Sequence, residues 1–236
     1  MQKLYEIAFK EGSSDSESCC TTQGLIARFV QQFNDRQKST PKDDRWDCSG
    51  DDDDDIIVNE ISDDDENEES KSNQAAAVVE ILIKMIEPIQ RILEADTSDQ
   101  QIKSSYREGR VMPLGRTKLR AVELLQAIVS LKKANIITAV GNSTVMAQVL
   151  KLIEKHTWNN MVQLKCQLIF EDVFSSDISN AEKVSFLKSC GVTSQLIKMS
   201  DTSEVQFYSG NKIRNGHMGF VIKLANSIVT ARKTID

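Results

Sequence analysis

A chain of 236 residues with 40% apolar and only 6% aromatic content is long enough to bury a core, which excludes a wholly disordered chain and disfavours a β-sandwich. Its formal charge of −6 is unevenly spread: residues 43–69 hold fifteen Asp/Glu and one Arg, a net −14, which leaves +8 for the remainder. That small basic excess suits an acidic partner or an ordinary solvated surface, and no nucleic-acid binding is expected of it.

In chain order, "MQKLYEIAFKEG" carries a short helical pattern and "SSDSES" reads as a connector. The stretch "TTQGLIARFVQQFNDRQ" then spaces Leu25, Ile26, Phe29, Val30 and Phe33 as one helix face, so residues 1–38 are expected to form N-terminal helices. Residues 39–73 carry the acidic run and too little apolar surface to offset ordering, which predicts a disordered acidic loop. Five consecutive Asp at 51–55 lack the alternating ligands, Gly and terminal Glu of an EF-hand, so no metal site is expected there. Ser49 and Ser62 precede acidic residues and suit an acid-directed kinase.

From residue 74 to 236 the pattern is almost entirely helical. Val78, Val79, Leu82, Ile83, Ile86, Ile89 and Leu93 mark a helix over 74–95 that Pro88 should kink or break. After the link "REGRVMPLG", helices are expected over 117–134, with Leu119, Val122, Leu125, Ile128, Val129 and Leu131 inward, and over 144–155, with Val145, Val149, Leu152 and Ile153. Further helices are expected at 159–174, 181–190, 193–199 and 216–232. The interval of about 42 residues from 117 to 159 lies in the range of helical solenoid repeats. The expected fold is therefore all-α, a HEAT/armadillo-like solenoid of antiparallel helix pairs interrupted by the acidic loop.

Catalytic chemistry is thin. The two histidines, His156 and His217, are separated by sixty residues, and G-x-x-x-x-G-K-[ST], G-x-S-x-G and H-E-x-x-H are missing. His156 suits the cation-favouring end of a helix, and the Asn-Gly turn before a helix accounts for "RNGHMG" without a ligand. No catalytic residue, cofactor or metal is expected. Five cysteines without a C-x-x-C pair argue for a reduced, intracellular protein, cytoplasmic with the nucleus as a second compartment. No apolar run reaches the roughly 18 residues of a membrane span.

Three segments carry a resemblance: "GRVMPLGRTKLRAVELLQAIV" at 109–129, "LKLIEKHTWNNMVQLKCQLIF" at 150–170 and "KIRNGHMGFVIKLANSIV" at 212–229. In order and spacing they resemble the C-terminal part of the SAPS-domain proteins, regulatory subunits of protein phosphatase 6 and of fungal type 2A-like phosphatases. The resemblance departs after Asn160, where relatives carry a further aromatic or Leu followed by His and this chain has Met161, Val162 and Gln163. It implies a non-catalytic regulatory or scaffold subunit that binds a type 2A-like phosphatase catalytic subunit and directs it to substrates, with ankyrin-repeat subunits as further partners. The alternative is a generic helical-repeat adaptor in trafficking or nuclear complexes without a phosphatase.

Within these segments Arg110, Arg116, Arg120, Arg214 and His217 are the candidates for partner contact, Arg116 and Arg120 being spaced to share one helix face that is either plain surface or a grip on a carboxylate. Pro113, Leu114 and Gly115 should break one helix and start the next. Gly216 and Gly219, flanking Met218, should permit a close helix crossing. Trp158 is expected to fill a corner and be largely buried, with Asn159 or Asn160 capping the following helix.

Overall fold

The computed structural model describes residues 17–38, 65–95, 102–103, 110–111, 113–201, 206–208 and 211–233. The expected helix within 1–12, its connector, the Asp51–Asp55 run, Ser49 and Ser62 lie outside these residues. The amphipathic stretch near the start forms α1 (Glu17–Lys38), which buries Ile26 and Val30 but leaves Leu25 and Phe29 exposed. Its apolar stripe is thus wider than the surface it meets.

The next helix, α2 (Asp65–Lys84), starts inside the segment expected to be loop. The physical reason is the helix dipole: Asp65, Glu66, Glu68 and Glu69 stand at its positive end, where negative charge favours helix rather than opposing it. α3 (Ile86–Glu94) follows after a break at Met85, whose N–H donates to Leu82 O at 3.1 Å. Pro88 causes that break. Its ring would clash with the carbonyl four residues back, so the helix restarts and places Pro88 in a first turn, where its missing N–H costs nothing.

A short hairpin of β1 (Ile102–Lys103) and β2 (Arg110–Val111) precedes α4 (Arg116–Val129). Then come α5 (Ala134–Asn142), α6 (Val145–Lys155), α7 (Asn160–Phe174), α8 (Asn180–Ser189) and α9 (Val192–Asp201). A second hairpin, β3 (Gln206–Tyr208) with β4 (Asn211–Ile213), leads into α10 (Met218–Lys233). The fold is all-helical apart from these two hairpins, which lie in the links. Helix α5 departs from the expected pattern, because "ANIITAVGN" is short, β-branched and ends in Gly-Asn, features that favour a link locally. Burial of Ile136, Ile137 and Val140 overrides that preference.

Stacking recurs every third helix rather than in successive pairs. α4 packs on α1 and α7, and α7 packs in turn on α10; α5 packs on α2 and α8; α6 packs on α3 and α9. α4 and α7 run parallel, since Lys165 Nζ donates to Gln126 Oε1 and, further along the chain from each in the same direction, Lys132 pairs with Asp172. The expected interval of about 42 residues is 44 in the structure, from Arg116 to Asn160, and holds a triplet of helices.

The core runs through this stack. In α4 every side chain from Ala121 to Val129 except Glu123 is buried, because α1, α3, α5 and α7 all contact it. Large exposed apolar side chains sit on α1 (Leu25, Phe29), at the α6–α7 corner and on α7 (Trp158, Met161, Leu164), and on α8, α9 and α10 (Val184, Ile197, Ile222, Val229). The doubly stacked α4, α5 and α6 carry none among the described residues. No single described helix is long and apolar enough to cross a membrane.

Candidate protein-interaction site

The second and third signature segments meet at the corner between α6 and α7. α6 ends as the His156 N–H donates to Leu152 O at 2.8 Å, and a tight turn follows in which the Asn159 N–H donates to His156 O at 2.9 Å. Asn159 then caps α7: its Oδ1 accepts from the Val162 N–H at 3.2 Å, satisfying one donor that the helix start leaves open. Gln163 Nε2 donates back to Thr157 O at 2.9 Å, so the turn is tied to the helix it introduces. The expected cap is Asn159, while Asn160 is the first helical residue and exposed.

Trp158 is 44% exposed, which corrects the expectation of a largely buried corner residue. Part of the ring is covered by Gly216. A Cβ there would fall 2.7 Å from Trp158 Cε3, 2.9 Å from Trp158 Cδ2 and 2.7 Å from Thr157 O. The indole therefore rests on bare backbone and keeps part of its surface in solvent. Neither glycine serves the helix crossing that was expected: Gly216 lies in the turn before α10 and admits the α6–α7 corner, and a Cβ on Gly219 would meet nothing within 4 Å.

His217 is a correction too. It is 1% exposed, with Nε2 donating to Met199 O across 3.0 Å, so its place is under the surface, joining α10 to α9, and it is unavailable to a partner. Its Nδ1 is buried and has no hydrogen-bond partner among the described residues. Beside it Lys198 Nζ meets Glu154 Oε1 at 2.9 Å and Gln195 Nε2 donates to Glu154 Oε2 at 2.7 Å, tying α6 to α9. The Lys198 hydrogen bond, with help from Gln195 and the proximity of Lys198 and His217, holds the Glu154 carboxyl below its usual range against the opposing pull of burial. Because the folded value lies below the unfolded one, this stabilisation is complete at neutral pH and fades as pH falls below about 4.3. Thermal melts of Glu154→Gln and the parent chain at pH 7 and pH 3 test this, with the gap between them expected to shrink in acid.

Among the other candidates, Arg116 is exposed and Arg214 is exposed, whereas Arg120 pairs with Glu123 one turn along α4. Arg110 stands in β2, outside the residues whose side chains are described. Pro113 is exposed, Leu114 is buried, and Gly115 precedes α4 with φ of 84°, a left-handed value that favours glycine. Met218 is half-buried at the start of α10. Since α4 and α7 run parallel, Arg116 and the Trp158 corner lie at the same end of the stack.

The sequence marked Met161 only as a departure from the resemblance and left Leu164 unnoticed. They are 56% and 53% exposed, three positions apart on α7 and continuous in spacing with Trp158. Their i, i+3 spacing was a visible signal, but helical spacing alone does not say which face a neighbour covers.

Cys166 is buried and its thiol is pushed well up by burial, while burial raises Cys190 to about 11. A thiol reagent at pH 8 is therefore expected to leave both unmodified until denaturant is added, as peptide mass spectrometry would read. Among the described residues no group of three or more His, Cys, Asp or Glu is placed to hold a metal ion.

No curated protein and no solved structure matches this chain. The family model SAPS, described as SIT4 phosphatase-associated protein, matches residues 136–236, which take in both the Trp158 corner and the Gly216 turn, consistent with the C-terminal part of that domain.

Proposed function

We propose that this chain is a non-catalytic regulatory or scaffold subunit that binds a type 2A-like serine/threonine phosphatase and directs it to substrates. The observation that carries the reading is the family match over residues 136–236, since that family is named for its association with a phosphatase. The helix triplets suit the role: helices stacked on one another in a row leave a broad surface, and a surface is what a scaffold needs. Ankyrin-repeat subunits as further members of the complex rest on the resemblance alone.

Purified full-length chain, immobilised and exposed to purified phosphatase 6-type catalytic subunit, tests the proposal by biolayer interferometry. Saturable binding is expected, with no phosphatase turnover by the chain alone. No binding at micromolar catalytic subunit would overturn the reading in favour of an adaptor that works without a phosphatase.

A further inference from the structure

We infer that the phosphatase catalytic subunit docks on the strip formed by Trp158, Met161 and Leu164, rimmed by Lys155 and Arg214; this inference rests on the function proposed above. The first ground is that packing does not explain the exposure of the strip. Val184, Ile197, Ile222 and Val229 lie on helices that stack on one side only, as do Leu25 and Phe29. α7 is different. It has α4 on one side and α10 on the other, yet it and its corner leave three large apolar side chains in solvent, whereas the doubly stacked α4, α5 and α6 leave none.

The second ground is rigidity. The Asn159 cap and the Gln163 bond to Thr157 O fix the backbone under Trp158, and the indole lies against Gly216, so the strip is presented without ordering a loop. A half-exposed Trp held from behind, with Met and Leu beside it, has the composition of an interface anchor.

The third ground is charge. Lys155, three positions before Trp158, and Arg214, two before the Gly216 on which the indole lies, are exposed, and Arg116 is exposed at the same end of the stack. Glu154, next to Lys155 in the chain, is engaged with Lys198 and Gln195, and Glu123 on α4 with Arg120. Residues 113–233 as a whole carry sixteen Lys/Arg against eight Asp/Glu. The complement of such a surface is an apolar centre ringed by carboxylates, and that is the chemistry required of the docking face on the catalytic subunit.

Binding of purified catalytic subunit to the full chain tests this, with Trp158→Ala and Leu164→Glu on the strip and Ile197→Glu and Val229→Glu as equally exposed controls. Far-UV circular dichroism and melting curves establish that each variant is folded, and Met161→Ser serves as the milder strip variant if Leu164→Glu fails to melt cooperatively. The strip variants are expected to weaken binding at least about tenfold, and the controls less than about threefold. Arg214→Glu is expected to slow association and to flatten its dependence on salt. If the parent chain binds and the folded strip variants bind equally well, the docking site is overturned while the proposed function stands. If the parent chain does not bind, both fall together.

Discussion

Replacing Phe170 with alanine is expected to lower the stability of the folded chain by about 3–5 kcal/mol. Phe170 is fully buried in α7 and its ring packs that helix against α8. Its centroid lies 6.3 Å from Phe174 on the same helix and 6.1 Å from Phe186 on α8, the latter in an edge-to-face contact at 75°. Phe186 in turn presses on α5, where a Cβ on Gly141 would come within 3.1 Å of its Cδ2. Removing the Phe170 ring therefore empties a space that these neighbours cannot fill without opening the α5–α8 contact. Urea denaturation followed by circular dichroism should show a lowered midpoint with an unchanged slope. In a chain of this size about 2–4 °C is lost per kcal/mol, so melting should fall by about 10 °C. Phe170→Leu, which keeps most of the volume, should cost less than half as much. A melting point for the alanine variant within 2 °C of the parent would sink this account of the core.

The helices that a periodic reading finds are those whose apolar face is long enough to stand above local preference. α4, α6 and α7 are of this kind, with Val122, Leu125, Ile128 and Val129, then Val149, Leu152 and Ile153, then Ile169 and Phe170 all inward as their spacing demands. Pro88 marks a break because its geometry is local and admits few solutions. α5 escaped because its helicity is imposed by its neighbours: Val140 and Gly141 lie against other helices, and no nine-residue window contains that information. Missing α5 made triplets look like pairs. The extension of α2 back to Asp65 escaped for the opposite reason, since acidic residues that repel in a free chain stabilise a helix when they fall at its N-terminus.

At the candidate site, the residues that identify the corner were legible and their exposure was not. Asn159 caps as its side chain and position suggest. Trp158 shows the limit, because its burial depends on Gly216, fifty-eight positions away, which supports the indole instead of enclosing it. His217 shows the converse. A polar residue in a turn is ordinarily surface, and only the approach of the α9 backbone, with Met199 O 3.0 Å away, draws this one inside.

The two glycines of "NGHMG" should respond to the same substitution with opposite signs. Gly216→Ala is expected to destabilise the chain by about 1–3 kcal/mol, the usual range for forcing an atom into occupied space. Its methyl would meet Thr157 O and the Trp158 ring at once, and the carbonyl oxygen belongs to a turn already held by the Gln163 hydrogen bond. Gly219→Ala, in the first turn of α10 with open space around it, should instead raise stability by about 0.4–1 kcal/mol by narrowing the unfolded ensemble. Melting curves of the two variants decide the sign. The coupling to Trp158 is the sharper measurement: combining Gly216→Ala with Trp158→Ala removes the two ring contacts but leaves the one to Thr157 O. The double variant should therefore be more stable than the sum of the single effects allows, while still falling short of Trp158→Ala alone. Strict additivity would mean that the indole does not rest on Gly216. The same variant separates support from docking, because a methyl at Gly216 displaces Trp158 without removing any atom of the exposed strip, so a loss of phosphatase binding in folded Gly216→Ala would show that the position of the indole, and not merely its presence, is what the partner reads.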